Sequence, residues 1–256
     1  MIEGTKNIWR IVKSIETKGS MQMAIDEAIM NARINNFVPN TLRFYYWNPP
    51  CVSIGYFQSL QKEVDVKKAK EQGVDIVRRY TGGGAVFHNK ELTYSLVLSE
   101  NEVSKDIIKS YKQICESLVI GLKSIGISAE FKPINDIIVN NKKISGNAQT
   151  RKQGVVLQHG TILLDVDVKK MFSILKVPSE KIKDKLIEIA EQRVTSIKNE
   201  LGNNITKKEI ESSILKGFEK NFNMTFEESQ LSEHELIIAK KLCEEKYSTK
   251  KWCYLK

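Results

Sequence analysis

Three consecutive glycines, Gly82-Gly83-Gly84, place the tightest constraint on this chain. Glycine loses the most conformational freedom on ordering, so a glycine run is disfavoured inside a helix or a strand. The run follows the β-type stretch Asp75–Val77 and precedes another, Glu91–Leu98, so it reads as a connection between strands. The whole segment is Arg78-Arg79-Tyr80-Thr81-Gly82-Gly83-Gly84-Ala85-Val86-Phe87-His88. With no side chains in the way, its backbone amides can closely approach an anion or a flat ligand. The two arginines ahead of it could grip a phosphate or carboxylate bidentately. Neither Gly-x-x-x-x-Gly-Lys-Ser/Thr nor Gly-x-Gly-x-x-Gly is present, which excludes the common nucleotide loops. Taken alone, the run serves equally well as a plain tight turn.

Strands and helices around this loop do not alternate in a βαβ rhythm. Ser20–Asn36 carries Met23, Ala24, Ala28, Ile29 and Ala32 at helical steps. Thr41–Trp47 and Cys51–Ile54 are β-type and are separated by Pro49-Pro50. Leu60–Gln72 reads as one helix, and Lys105–Ile125 as a long amphipathic one. Ile137–Val139 and Lys143–Ser145 suggest a hairpin turning at Asn140-Asn141, with Val155–Leu157 and Thr161–Leu164 as two more short strands. Beyond Asp165 the pattern is helical: Met171–Leu175, Glu180–Glu191, Lys207–Phe222 and Glu233–Lys246. Thr206-x-x-Glu209 and Ser232-x-x-Glu235 have the form of capping boxes. The expected organisation is an α+β core over 1–165 with a helical continuation of the same catalytic domain over 166–256.

Forty Lys+Arg against thirty-one Asp+Glu give a formal charge of +9. The lysine pairs are scattered among acids, which describes a solvated surface and argues against a nucleic-acid partner. Met1–Arg10 has no apolar signal core, and no run approaches the ~20 apolar residues that span a bilayer. A cytoplasmic protein without membrane attachment is expected. Cys51, Cys115, Cys243 and Cys253 form no Cys-x-x-Cys pair, so neither a disulfide framework nor a zinc site is expected.

Two further segments offer chemistry. Asn135-Asp136 precedes Lys142-Lys143-Ile144-Ser145-Gly146-Asn147-Ala148-Gln149. A lysine beside small residues can present its ammonium to a phosphate unobstructed, although a solvated lysine in a hairpin is the commoner arrangement. Gln158-His159-Gly160-Thr161 puts a histidine on a strand, where the default role is a hydrogen-bonded structural one.

In order and spacing, Arg78–His88, Asn135-Asp136, Lys143–Ala148 and His159–Leu164 resemble the lipoate–protein ligase family. Leu42–Tyr45, Val52–Gln58, Arg193–Ser196 and Ser248-Thr249-x-x-Trp252 extend the resemblance over nearly the whole chain. It implies the biotin/lipoate ligase catalytic domain, an α+β fold shared with class II aminoacyl-tRNA synthetases, with a mixed sheet and flanking helices. It also implies activation of lipoate with Mg-ATP to lipoyl-AMP. Transfer then follows to one lysine on the lipoyl domain of a 2-oxoacid dehydrogenase E2 subunit or on the glycine-cleavage H protein. By match to the family motifs, Arg79, Gly82, Gly83, Gly84, Ala85, Val86, Phe87, His88 and His159 would bind the adenylate and acyl chain. Asn135 and Asp136 would stand near the phosphates, with Asp136 toward Mg²⁺, and Ala148 would close over the intermediate. Lys143 would be the catalytic residue, reaching the acyl oxygen and the α-phosphate. The chemistry agrees: a carboxylate attacking phosphorus brings two anions together, and a fixed ammonium with Mg²⁺ offsets that charge.

Relatives of this fold include octanoyltransferases that carry the acyl group on a cysteine thioester. One type has that cysteine three positions before the His of His-Gly, where Val156 stands here. The other has it ahead of the Asn-Asp segment, where this chain reads Ala129-Glu130-Phe131-Lys132. The missing thiols favour an adenylating ligase, with an octanoyl or lipoyl transferase as the alternative and a non-catalytic basic binding protein as a third reading. The chain stops at Lys256, so a minimal ligase and one completed by a separate small subunit, as in two-part archaeal ligases, are both expected forms.

Overall fold

The computed structural model describes residues 7–177, 182–203 and 205–256. β1 (Asn7–Thr17) leads into α1 (Gly19–Ile34), followed by β2 (Thr41–Trp47) and β3 (Cys51–Ile54). Two short helices, α2 (Leu60–Glu63) and α3 (Val66–Glu71), precede β4 (Asp75–Arg78), β5 (Val86–His88) and β6 (Glu91–Ser99). α4 (Ile107–Ser124) is followed by β7 (Glu130–Lys132), β8 (Asp136–Val139), β9 (Lys142–Lys152) and β10 (Val155–Leu163). Then come α5 (Val168–Ile174), α6 (Lys183–Arg193), α7 (Ile197–Leu201), α8 (Lys207–Phe222), β11 (Met224–Ser229), α9 (Glu233–Leu242) and α10 (Lys250–Cys253).

Among the described residues, an eight-stranded mixed sheet runs β11-β1-β2-β6-β10-β9-β8-β7, and a three-stranded sheet runs β4-β3-β5. α4 and α8 cover one face of the large sheet through a core that includes Leu96, Ile114, Leu118, Ile144, Ile214 and Phe218. α1 and α9 cover the other through Ile25, Ile29, Val97, Leu157 and Ala239. α1 also packs Met23 and Ala24 against Cys51 and Val77 of the small sheet, which explains why it is buried on nearly every side. This is the expected α+β arrangement of a mixed sheet flanked by helices. No described helix is long and apolar enough to cross a membrane.

The structure departs from the sequence reading at several elements. Leu60–Gln72 is broken, because Val64 bridges to Leu175 and Asp65 caps α3 by accepting from the Lys68 N–H. The two short strands read around His159 are one continuous strand, β10, paired on both sides. β1 was not foreseen, nor was β11, which lies inside the stretch expected to be helical and pairs in parallel with β1. The Asn140-Asn141 turn is as expected, with φ of 49° and 63°. Both capping boxes form, at Thr206/Glu209 and Ser232/Glu235. Met1–Lys6, and Glu180 at the start of an expected helix, lie outside the described residues.

Candidate functional site

Residues from both sheets, α1 and α5 enclose a cavity of about 350 Å³, the size of a small-molecule site. Its apolar wall is Met23, Tyr45, Trp47, Val86, Phe87 and Leu163. Of the residues singled out from sequence, Arg79, Gly83, Gly84, Ala85, Val86, Phe87, His88, Asn135, Lys143, Ala148 and His159 all line it. Gly82 and Asp136 do not; each instead contacts a lining residue, Arg79 and Lys143 respectively.

The arginines do different work from the anion grip that the sequence suggested. Arg78 is fully buried and gives its donors to five carbonyls: Trp252 (2.9 Å), Gly55 (3.0 Å), Tyr56 (2.9 Å), Gln58 (2.6 Å) and Cys253 (2.8 Å). Arg79 donates through Nη1 to the carbonyl and hydroxyl of Ser53 and through Nη2 to the carbonyls of Gly82 (2.9 Å) and Gly84 (2.7 Å). Burial lowers its pKa to about 10, which leaves it charged at neutral pH. Gly83 takes φ +95°, a left-handed conformation that bends the loop, and Gly55 opposite has no room for a Cβ beside the Gly83 carbonyl. Both guanidiniums therefore hold backbone, and Gly83 and Gly84 of the loop line the cavity.

Two acid–histidine–hydroxyl relays brace this loop. His159 contacts Thr81 Oγ1 through Nε2 (2.7 Å) and Asp26 through Nδ1 (3.2 Å), and Asp26 is also bound by Arg43 and by the Tyr45 hydroxyl. Burial pushes the Asp26 carboxyl up, but Arg43 and His159 outweigh it, and its pKa is lowered overall. Burial lowers the pKa of His159 against the pull of Asp26. In the second relay, His88 contacts Ser53 through Nε2 (2.7 Å) and Glu91 through Nδ1 (2.5 Å), and its ring stacks on Trp47 at 4.0 Å. Ser53-His88-Glu91 has the connectivity of a serine-nucleophile triad. Ser53, however, is fully buried and its oxygen also accepts from Arg79, so it braces the loop and offers no exposed nucleophile. Ser53, Glu91 and Trp47 escaped the sequence reading because each sits in an ordinary strand pattern.

Lys143 is half-exposed at the cavity, with its Nζ 2.7 Å from Asp136 Oδ1. Asn135 ties the neighbouring strand in place through Nδ2 to the Asn147 carbonyl, and Asn147 returns a 2.9 Å hydrogen bond to the Asn135 carbonyl. Among the described residues, no group of three His, Cys, Asp or Glu side chains could hold a metal ion. A hydrated Mg²⁺ arriving on nucleotide phosphates would need only one or two carboxylates, and the carboxylate beside Lys143 is that of Asp136.

None of the four cysteines lines the cavity. Cys51 is buried in β3 and burial raises its thiol pKa well above the usual value. Cys115 lies under β10 against Gln158, where burial pushes its pKa to about 12. Cys243 contacts Ser20 and Ser248, and Cys253 packs near Ile76.

Residues 18–219 match the Lipoyl protein ligase A/B catalytic domain. A protein named Octanoyltransferase LipM, from Clostridioides difficile (strain 630), is 38% identical over 267 residues, covering 96% of this chain and 98% of that protein. The bi-partite lipoate protein ligase of an archaeal lipoylation system from Thermoplasma acidophilum superposes with a TM-score of 0.88 at 32% identity, covering 97% of both chains. A lipoate-protein ligase A bound with ATP superposes with a TM-score of 0.84 at 30% identity, covering 97% of this chain and 99% of that one. The sequence resemblance thus holds for family and fold, whereas the full-length relative bears a transferase's name instead of a ligase's. Since the family match takes in the glycine loop, the Lys143 strand and His159 together, the chain belongs to the lipoyl protein ligase A/B catalytic domain family.

Proposed function

We propose that this chain attaches a medium-length acyl group, lipoyl or octanoyl, to a lysine of a lipoyl domain. The acyl chain would lie along the wall formed by Met23, Trp47, Val86 and Phe87, with its carboxyl end toward Lys143 and the glycine loop. The reading that the site supports best is activation of the free acid by Mg-ATP to an acyl-adenylate. One observation carries it: the cavity is lined by Lys143 and the glycine loop but by none of the four cysteines. Lys143 would offset charge on the phosphoryl and acyl oxygens, and the loop amides would hold the acyl-adenylate still for attack by the incoming amine. Asp136 would help to hold the Mg²⁺ brought by the nucleotide.

A second reading is favoured by the name of the full-length relative, Octanoyltransferase LipM. Here the octanoyl group arrives on a carrier protein and no ATP is consumed. With no cysteine at the cavity, that route would pass the acyl group directly from carrier thioester to lysine amine. The E2 lipoyl domain described with the archaeal neighbour supports a lipoyl domain as acceptor in either case.

The test is intact-mass measurement of a lipoyl domain incubated with this protein and one of two donors. The first is free lipoate or octanoate with Mg-ATP, and the second is octanoyl-carrier protein without ATP, each with and without cell extract. Modification from the free acid, dependent on ATP, is expected. Modification from the carrier alone establishes the second reading, and a requirement for extract identifies a missing small subunit.

A further inference from the structure

The side chain of Lys143 owes its position to an irregularity in the hairpin that carries it. Asp136 pairs with Gly146 and Ile137 with Ser145, but the register then shifts, so that Ile138 pairs with Lys143 and Val139 with Lys142. A bulge of this kind re-aims one side chain relative to the regular alternation of the strand. Here it sends the Lys143 chain back over Gly146, where a Cβ would stand 2.7 Å from both Cε and Nζ and 3.7 Å from Asp136 Oδ1. A Cβ contact that short is not tolerated, so a side chain at 146 must displace the end of the Lys143 chain from its present place. The backbone of Lys143 is fixed as well: its carbonyl accepts the Thr195 N–H at 2.8 Å, and it bridges in parallel to Val194, itself a cavity residue.

We propose that Gly146 and Asp136 together form a seat that positions the Lys143 ammonium at the cavity. Gly146 supplies the space and Asp136 the counter-charge, holding Nζ in place until an anionic group of the substrate takes over. Asp136 is then a positioning residue acting through Lys143, whatever it contributes to a nucleotide-borne metal. The inference rests on the acyl-transfer reading for its kinetic consequence and on the geometry alone for the seat itself.

Two measurements on the whole protein test it. In the ligand-free protein, modification of Lys143 by an amine-acylating reagent is followed by mass spectrometry relative to Lys142. Asp136→Asn and Gly146→Ala should each raise the Lys143/Lys142 ratio by about 2–5-fold, the scale on which a half-exposed ion pair holds its partners. In acyl transfer to a lipoyl domain, each variant should lower kcat by about 10-fold, far less than full loss of a preorganised donor. Gly146→Ala should not lower it further in a Lys143→Ala background, because residues that act through one group are non-additive. An unchanged labelling ratio in both variants overturns the seat, as does a Gly146→Ala loss that adds to that of Lys143→Ala. A raised half-saturating Mg²⁺ concentration in Asp136→Asn with unchanged labelling also overturns it, assigning Asp136 to the metal alone. If the unaltered protein transfers no acyl group from any donor, the proposed function fails while the labelling still decides the seat.

Discussion

Arg78 is the residue whose loss should be felt most widely. Its guanidinium joins three carbonyls of the 55–58 turn to the carbonyls of Trp252 and Cys253, and Trp252 returns a hydrogen bond from Nε1 to the Arg78 carbonyl at 2.8 Å. Hydrogen bonds to a charged donor contribute roughly 1.5–3 kcal/mol each, so five give a gross loss near 10 kcal/mol. Most of that is offset, because removing the arginine also removes the cost of burying its charge, and the net loss expected for Arg78→Met is about 3–5 kcal/mol. Lysine should not rescue it, since one ammonium with three donors cannot span five carbonyls on two segments. Urea unfolding followed by circular dichroism reads the total loss, and limited proteolysis near residues 250–256 reads release of the C-terminal segment. A loss under about 1 kcal/mol, or full stability with lysine, would refute the view that Arg78 is a backbone staple.

Three other outcomes are expected. Lys143→Ala should slow single-turnover acyl transfer by about 10²–10³-fold, whereas Lys142→Ala, on the exposed neighbour, should stay near the unaltered rate; equal losses would remove the assignment. Replacing all four cysteines by Ser or Ala should leave ATP-dependent lipoylation intact by mass spectrometry. ATP-free transfer from a carrier that disappears on alkylation would instead sink the ligase reading. Burial holds the folded pKa of His159 below the ordinary histidine value of about 6.5, so the unfolded chain takes up the proton first. The stability tied to its neutral form is full above about pH 6.5 and is lost as pH falls through the folded value. Thermal melts between pH 5 and 8 should show this slope, and His159→Asn should flatten it.

What the sequence disclosed about this molecule was mostly what lies in unbroken local patterns. α4 shows one apolar stripe and β2 a run of β-formers, and both lie within a few residues of their expected bounds. The motifs also converged, because the glycine loop, Lys143 and His159 all face one cavity. β10 was split in the reading because Gln158-His159-Gly160 interrupts its apolar run. In the fold those residues are buried between β6 and β9; Gln158 finds its partners on those strands, and His159 finds Asp26 on α1 and Thr81 in the loop. β11 carries Glu227 and Glu228 at a sheet edge, so its pattern is polar and short, and its partner lies more than two hundred residues away. The roles of Arg78 and Arg79 were hidden for another reason. An arginine that clamps an anion and one that clamps carbonyls look identical in sequence, and only the location of the carbonyls separates them.

That distant pairing has a consequence for how the chain is made. β1 joins β2 along one edge, with Arg10 opposite Thr41, but its other edge waits for Met224–Ser229. At about 5–20 residues per second, a ribosome delivers the second partner roughly 10–40 s after the first strand emerges. Throughout that interval an unpaired row of amides and carbonyls stands open beside Trp9, a template for any passing strand. Arg10 also lacks Glu235, which closes over it at 2.6 Å once α9 arrives. The nascent protein is therefore most vulnerable to misassociation at β1, and β11 and α9, translated more than two hundred residues later, act as its seal.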